Sequence, residues 1–425
     1  MTTIQQRRGW RGAVATGLLA TATAALGGGP NWPQWQGPNR DNVSGETGLL
    51  KQWPEGGPHL LWTATGCGKG YSSVAVTESG IYTAGTSNEQ SCVVAFDLDG
   101  HLRWRAPHGA PWRASPNMKW ATAYDGARAT PTVSGARVYH LGELGQLTAF
   151  DAADGKALWS VNIAREFGAA LPMYGYTESV LIDGDHVICY PGGTNGCMVA
   201  LDKGTGKTVW ANTTIGDGAA YCSAVLVAEQ GRRQIITMTA EAAIGVDPAD
   251  GRLLWRYPYT NRLKINATTP AYADGHVFIT TGYGVGSADL ALAAAGDKLS
   301  ATLAWTNSVL DNQHGGVVRV DGHIYGAGHK GEGWSCLDWA TGRTVYREQG
   351  VGPAGSLTCA DGMLYCLSEK GTMGLVPCTP EGLTVVSSFA VPHGGEGAYW
   401  AHPVVCGGRL YIRHADCLYA YDIRK

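Results

Sequence analysis

Polar, charged and aromatic side chains stand just ahead of several short apolar runs in this sequence. The runs are rich in Val, Ile and Tyr and are typical of β-strands. A site for a small organic molecule combines a few polar groups with aromatic walls, so side chains of these types at the strand starts favour a ligand-binding pocket. The candidate ligand-binding residues are Arg128, Tyr176, Glu178, Tyr221, Asn266, His314, Trp400 and His402.

Hydroxyl side chains recur at the same strand starts. Two interpretations are open for them: they hydrogen-bond the neighbouring strands, or they contact a ligand. The charged and amide residues do not repeat from one strand start to the next. A bound ligand would explain why different residues stand at these otherwise equivalent positions. The recurring hydroxyls belong to Ser73, Thr130, Ser179, Ser223, Thr268 and Ser356.

Asp311 is the candidate catalytic residue, as a general base. It lies in an Asp-Asn-Gln-His loop, and an Asp in such a loop also reads as a turn former. Glu178 and Asn266 could form a metal site together with Asp311. Nothing in the spacing of these residues requires such a site, so we predict none. Hydrolysis at His314 or His402 lacks any nucleophile motif.

The eleven cysteines are scattered and contain no CxxC, CxxCH or adjacent pair. Zinc and covalently attached haem are therefore not supported. Most of the cysteines stand in strand-like runs, where a small buried apolar residue is the expected role.

The net charge of −3 and the lack of a basic cluster argue against nucleic-acid binding. No segment reaches the roughly 20 apolar residues that span a bilayer. Residues 1–28 resemble an export signal, with Arg7, Arg8 and Arg11 ahead of the small apolar stretch 13–27. We expect an exported protein, periplasmic or extracellular; the alternative is a disordered or locally helical N-terminus.

A repeated motif must position these residues. In five places a small residue, any residue and Asp are followed by a turn Gly and then by an aromatic residue. The Asp accepts hydrogen bonds from turn N–H groups, the Gly supplies a positive φ, and the aromatic ring docks between neighbouring sheets. The five copies begin at Ala95, Ala149, Ala200, Gly245 and Cys336.

Eight aromatic residues mark eight repeats, at intervals of 41 to 55 residues, which is the length of a four-stranded propeller blade. Trp62 has no motif ahead of it, and Ala420-Tyr-Asp422 has no aromatic after it, so the two ends complement each other. We predict an all-β, eight-bladed β-propeller of four-stranded antiparallel blades, closed by N- and C-terminal segments that share one blade. The aromatic residues are Trp62, Trp104, Trp159, Trp210, Trp255, Trp305, Tyr346 and Phe389.

The domain organisation follows from this count. Residues 1–28 form the export signal, 29–57 a leader segment and 58–425 a single propeller. The inner strands of a propeller converge on its axis, so the strand starts should line one mouth of a central funnel. Loops 105–127 and 160–175 are the longest insertions and precede inner strands, which predicts that they border the same mouth.

The repeats resemble those of the pyrroloquinoline-quinone (PQQ) repeat superfamily, the quinoprotein alcohol dehydrogenase-like propellers, over roughly residues 32–425. The stretch from Trp32 to Arg40, WPQWQGPNR, is similar to the leader of exported bacterial PQQ-like propellers, which are often compared with the outer-membrane assembly lipoprotein BamB. That superfamily includes dehydrogenases and non-catalytic scaffolds.

The resemblance implies where a calcium-dependent quinoprotein would hold its metal, and this sequence departs from that pattern. Thr281-Gly-Tyr283-Gly284 has Tyr where a T-G-N-P motif supplies an Asn ligand, and Tyr is a poor ligand for Ca²⁺. The segment 192–196 contains no carboxylate where the Glu ligand is expected, and the adjacent-cysteine disulfide is missing.

Two functions follow. The first is an exported binding scaffold that takes a small-molecule ligand at the funnel mouth or protein partners on its loop face. The alternative is a PQQ-dependent alcohol or sugar dehydrogenase with a non-standard metal site, in which PQQ is the possible cofactor.

Overall fold

The computed structural model describes residues 31–425, apart from 230–231, 296–297 and 330–331. The predicted export signal lies outside the described residues. In the residues that the structure describes, the regular structure is almost entirely β, with one short α-helix, α1 (Ile163–Glu166), and one 3₁₀ helix (Pro116–Tyr124). Within the described residues, no helix has the length and apolar character needed to cross a membrane.

The first three strands join sheets whose other strands come later in the chain. They are β1 (Asn31–Trp32), β2 (Val43–Ser44) and β3 (His59–Thr65).

Four consecutive strands form each of the first four blades, and β1 adds a fifth strand to the inner edge of blade 1. Blade 1 holds β4 (Ala75–Thr77), β5 (Gly80–Ser87), β6 (Gln90–Phe96) and β7 (Leu102–Gly109); blade 2 holds β8 (Thr132–Ser134), β9 (Arg137–Leu141), β10 (Gln146–Asp151) and β11 (Ala157–Asn162); blade 3 holds β12 (Leu181–Asp183), β13 (His186–Cys189), β14 (Met198–Asp202) and β15 (Thr208–Asn212); blade 4 holds β16 (Val225–Glu229), β17 (Arg232–Met238), β18 (Ala242–Val246) and β19 (Leu253–Pro258).

The last four blades repeat this order, except that blade 8 takes its outer strand from β3 and blade 7 gains β2 at its inner edge. Blade 5 holds β20 (Ala271–Ala273), β21 (His276–Thr280), β22 (Ser287–Ala295) and β23 (Lys298–Asn307); blade 6 holds β24 (Val317–Val320), β25 (His323–Ala327), β26 (Trp334–Asp338) and β27 (Thr344–Glu348); blade 7 holds β28 (Gly355–Ala360), β29 (Met363–Ser368), β30 (Thr372–Pro377) and β31 (Ser387–Ala390); blade 8 holds β32 (Val404–Cys406), β33 (Arg409–His414) and β34 (Cys417–Asp422) with β3.

Strand β3 closes the ring, as the sequence predicts. It pairs antiparallel with β34, and Trp62 stands opposite Ala420. The same small-residue and aromatic pairing recurs in the complete blades, for instance Ala95 opposite Trp104. The eight-bladed propeller with shared terminal strands is thereby confirmed.

The repeated tryptophans connect each blade to the next. Trp104 packs its indole over Gly155 of blade 2 and donates its Nε1–H to the carbonyl of Ala152, at 3.1 Å. A side chain at Gly155 would collide with that ring. Trp255 is the exception, because blade 5 lacks the Ala-x-Asp turn. Its indole bonds Gln234 of its own blade instead, at 2.8 Å.

Residues 33–42, the axial plug, cross the central channel between β1 and β2. The plug begins at blade 1, because β1 pairs with β4, and ends at blade 7, because β2 runs parallel to β28. The carbonyl of Pro33 accepts from the backbone N–H of Val133 in blade 2, at 2.7 Å. The leader is therefore part of the ring's core.

Arg40 anchors the plug on the far side of the channel. Its side chain is 3% exposed, and its guanidinium donates to the carbonyls of Ser179, Val180 and Ala224, which belong to blades 3 and 4. Burial lowers the pKa of Arg40 to about 10. Backbone carbonyls are the main partners of this buried cation.

Trp35 and Asn42 extend the plug's contacts to the remaining blades. The Trp35 indole donates to Thr269 Oγ1 of blade 5 at 3.0 Å, and its ring lies 4.4 Å from that of His402 in blade 8. The carbonyl of Asn42 accepts from Cys359 N of blade 7, at 2.8 Å. Gly316 of blade 6 permits a close approach, because a Cβ there would lie 2.8 Å from Asn42 Nδ2.

Candidate functional site

A cavity of about 530 Å³ lies at the funnel mouth, within the 300–1,000 Å³ range of small-molecule sites. The axial plug forms its floor through Trp35. Its walls come from the segments that lead into the inner strands and from the loops that follow β21, β25 and β29. The lining residues are Trp35, Tyr71, Tyr124, Arg128, Tyr174, Thr177, Ser179, Tyr221, Ser223, Leu263, Ile265, Ala267, Tyr283, Gln313, His314, His329, Glu369, Trp400 and His402.

Aromatic rings form a continuous wall on one side of this cavity. Trp400 stacks on Tyr124 with ring centroids 5.4 Å apart, and Tyr71 lies 4.9 Å from Trp400. The wall continues from Tyr124 to Tyr174 at 6.3 Å and from there to Tyr221 at 5.9 Å. These rings offer stacking surfaces to a flat ligand.

Arg128 brings a positive charge to the aromatic wall. Its guanidinium donates to the carbonyls of Tyr174, at 2.8 Å, and Tyr124, and lies 5.3 Å from the centre of the Trp112 ring. Among the described residues, no carboxylate lies within 4 Å of it. Its charge at the cavity is thus held by carbonyl dipoles and aromatic faces.

Two histidines lie next to the aromatic wall and the floor: the His314 ring is 4.7 Å from that of Trp400, and the His402 ring is 4.4 Å from that of Trp35. Burial lowers the pKa of His314 to about 3 and that of His402 to about 4, so both are neutral at pH 7. His402 Nε2 donates to the carbonyl of His314 at 2.9 Å, which leaves Nδ1 as an acceptor. That Nδ1 is buried and has no hydrogen-bond partner in the described part of the chain.

Glu369 lies beside His314, with 3.5 Å between its Oε1 and the histidine Nε2. Burial raises the pKa of its carboxyl group, and the nearby Trp400 indole opposes that rise. Its side chain keeps 33% of its surface exposed. The described lining therefore contains one carboxyl group, that of Glu369, and one guanidinium, that of Arg128, and these two groups do not pair with each other.

Five of the eight candidate ligand-binding residues line the cavity, and the other three do not. Tyr176 is buried in the core between blades 2 and 3 and donates its hydroxyl to Pro191 O, at 2.9 Å. Asn266 Nδ2 bonds the carbonyl of Thr239 at 2.7 Å. Glu178 is 3% exposed, and its Oε2 accepts from Tyr190 N at 2.9 Å. The five that line it are Arg128, Tyr221, His314, Trp400 and His402.

Asp311, the candidate base, also lies outside the cavity lining. Its two carboxylate oxygens accept from the backbone N–H groups of Gly284 and Gly286, both at 2.7 Å. Both oxygens are thus engaged in holding the loop after β21.

Most of the recurring hydroxyls connect neighbouring inner strands; the exception is Ser356, whose Oγ is buried without a hydrogen-bond partner among the described residues. Thr130 N donates to Ser179 Oγ at 2.8 Å, and Ser179 N donates to Ser223 Oγ at 2.9 Å, which continues the pattern from blade 2 to blade 4. Ser73 Oγ donates to the carbonyl of His402 at 2.7 Å. Ser179 and Ser223 also reach the cavity.

The buried carboxyl group of Glu178 should make the free energy of unfolding depend on pH. Its Oε2 accepts from Tyr190 N at 2.9 Å, and burial raises its pKa to about 8, opposed by that bond and by Arg40. Between pH 4.5 and about 8 the unfolded chain releases this proton while the folded chain keeps it, so stability falls as pH rises through that window.

We expect Glu178→Gln to remove this slope, which amounts to about 2–4 kcal/mol between pH 5 and 8. Urea unfolding at four pH values measures it, with Glu381→Gln on the exposed surface as the matched control. Parallel stability curves for wild type and Glu178→Gln would contradict the assignment.

Several lining residues carry no repeat signal. Tyr124 and Tyr174 come from the two long insertions, which is the one signal that points to them. Trp35 comes from the leader, and Tyr283 and Glu369 follow second strands of their blades. Loops on that side of the blade reach the axis as closely as the strand starts do.

The donor set of a calcium-dependent quinoprotein does not fit this site. Tyr283 stands in the cavity and accepts a hydrogen bond from Gln313 Nε2 at 2.7 Å, and Asp311 is engaged by two backbone N–H groups. The described residues contain no group of three His, Cys, Asp or Glu side chains placed to hold a metal ion.

Comparisons with known proteins agree with the fold. A family model described as outer membrane protein assembly factor BamB matches residues 89–345. A protein of that name from Kangiella koreensis is 29% identical over 214 residues, which are 50% of this chain and 49% of that protein. The chain thus spans about half the length of this curated relative.

Two solved structures are similar in fold. BamB from Moraxella catarrhalis has a TM-score of 0.60 and 15% identity, covering 86% of this chain and 97% of that one. The quinohemoprotein alcohol dehydrogenase from Comamonas testosteroni has a TM-score of 0.64 and 14% identity, covering 92% and 80%. The repeats, the closed ring and the family match lead to one conclusion: this chain belongs to the family of PQQ-repeat β-propellers described as outer membrane protein assembly factor BamB.

Proposed function

We propose that this chain is an exported binding propeller that takes up a small organic molecule in its funnel cavity. The observation that carries the proposal is the closed floor: the axial plug turns an open channel into a cup with aromatic walls. Export is supported by the basic and apolar character of residues 1–28 and by the names of the relatives, which assign them to outer-membrane assembly.

The polar groups of the cup support binding over a purely structural role. An unpartnered buried acceptor such as His402 Nδ1 costs stability, on the order of 1–3 kcal/mol. A ligand that turns the imidazole toward the cavity and donates a hydrogen bond to it would recover that cost. The cation of Arg128 likewise gains from an anionic partner.

Filling the cavity tests the proposal. Ala267 lines the cavity, and we expect Ala267→Trp to block it without touching a charged group. Thermal shift measurements with a library of small acids, amines and zwitterions should raise the melting temperature of the wild type by about 2–5 °C for some compounds. Ala211→Trp, on the exposed face of β15, is the control and should behave as the wild type.

If no compound in the library raises the melting temperature of the wild type more than that of Ala267→Trp, the proposal is overturned. PQQ with Ca²⁺ belongs in the same library. Dye-linked oxidation of an alcohol or a sugar by that mixture would favour the dehydrogenase instead.

A protein partner is the second candidate, favoured by an apolar rim. Leu171, Met173, Leu263 and Val285 are exposed hydrophobic residues from the loops around the mouth. If a protein covers the mouth, Leu171→Glu with Met173→Glu should release it, whereas Ala267→Trp should retain it. Co-purification from the producing cell measures both.

A further inference from the structure

The charges in the funnel cavity define the chemistry of its occupant, given the binding function proposed above. Two ionisable groups of opposite sign, Arg128 and Glu369, face one cavity. Neither has an oppositely charged partner among the described residues: only His314, which is neutral at pH 7, lies near Glu369.

Neither neighbouring acid forms an ion pair with Arg128. Glu143 is the acid with the largest electrostatic effect on it, yet it lies more than 4 Å away and is buried, and burial raises the pKa of that carboxyl group. Asp125 pairs with Arg113 instead, at 3.3 Å. A carboxylate from outside the chain would therefore find an unsaturated partner in Arg128, whose guanidinium suits bidentate binding.

Trp400 lies between the two charged groups. Its ring stacks on Tyr124, whose carbonyl accepts from Arg128, and meets the His314 ring at 4.7 Å, next to Glu369. A ligand with its apolar body on Trp400 thus has a cation at one end and a carboxylate at the other. The aromatic neighbours of Trp400 also stabilise an ammonium group by cation–π attraction.

We propose that the cavity binds a zwitterion, with a carboxylate held by Arg128, an ammonium group held by Glu369 and an aromatic body against Trp400. An aromatic amino acid and a short aromatic peptide share this chemistry. A site that holds both charges rejects an analogue that lacks either one, because a buried charge is then left unpaired.

Calorimetric titration of the full chain distinguishes the sources and tests both charges. The probes are L-tryptophan and the dipeptide Tyr-Phe, each with free termini, as the N-acetyl form and as the C-terminal amide. We expect one of the two free zwitterions to bind, and each modification to weaken its binding tenfold or more. If Tyr-Phe binds and tryptophan does not, the occupant is a peptide; the reverse identifies a free amino acid.

Two variants assign the charges to their residues. In Arg128→Met, the probe with a free carboxylate and its C-terminal amide should bind with equal affinity. In Glu369→Gln, the probe with a free amine and its N-acetyl form should bind with equal affinity. Arg262→Met and Glu396→Gln, on the exposed rim, are the matched controls and should keep both differences in affinity. The modified probes test the wild type directly, so the result does not depend on the folding of Arg128→Met.

The outcomes separate this inference from the proposed function. Equal affinity for the zwitterions and their modified forms, or no binding of either zwitterion, overturns the inference. If other library compounds still stabilise the wild type over Ala267→Trp, the binding function stands without it.

Discussion

Deleting residues 58–63 should leave the ring open and largely unfold the protein. The deletion removes most of β3, exposes the edge of β34, and takes away Trp62, whose ring packs over Gly100 of blade 1. The lost packing and strand hydrogen bonds amount to about 10 kcal/mol, which is comparable with the stability of a whole domain. Circular dichroism during thermal melting measures the loss.

Point substitutions in the same strand give smaller losses of stability, with which the effect of the deletion can be compared. Trp62→Ala should cost about 3 kcal/mol, and Leu60→Ala, 40% exposed, less than about 0.5 kcal/mol. A deletion variant that melts like the wild type would show that β3 does not hold the ring closed.

Arg40→Met should destabilise the protein by about 3–5 kcal/mol, although it exchanges a charged residue for an apolar one of similar length. Three backbone carbonyls of blades 3 and 4 lose their donor, and methionine cannot replace it. We expect a lower urea midpoint together with weaker ligand binding, because the plug also supplies Trp35 to the cavity floor.

Arg103→Met is the matched control for that substitution. Arg103 also donates to two backbone carbonyls, those of Ser79 and Ala153, but at the exposed outer edge of blade 1. Its loss should change stability by less than about 0.5 kcal/mol. Equal effects of the two substitutions would mean that the plug does not hold the blades together.

The blades could be predicted from the sequence because each repeats one physical arrangement. A small residue stands opposite the aromatic, as Ala149 does opposite Trp159, and the next blade's turn accepts the indole N–H. That arrangement requires a small residue and a large aromatic residue at fixed places, and most of the blades keep both. The terminal fragments, Trp62 and Ala420, complete one such pair, so the closure could be predicted as well.

The cavity lining was harder to predict, because side chains alternate along extended backbone. Tyr176 and Glu178 have an aromatic and an ionisable side chain, which is why the sequence predicts that they bind a ligand. In the structure they are buried, and it is Thr177 and Ser179 that line the cavity. A shift of one residue along the chain decides which pair meets a ligand.

The axial plug had no sequence signal of its role. It is not part of a repeat, and the partners of Arg40 lie 139 to 184 residues away in the chain. Those partners are backbone carbonyls, which any sequence supplies. Only the folded ring shows that the leader occupies the channel.

Native mass spectrometry of the full chain, purified from its producing cell, tests the funnel site most directly. Wild type and Ala211→Trp should carry a bound molecule of a few hundred daltons, in line with the size of the cavity, and Ala267→Trp should carry none. The same bound mass on all three proteins, or none on the wild type, would contradict the assignment of the binding site to the funnel cavity.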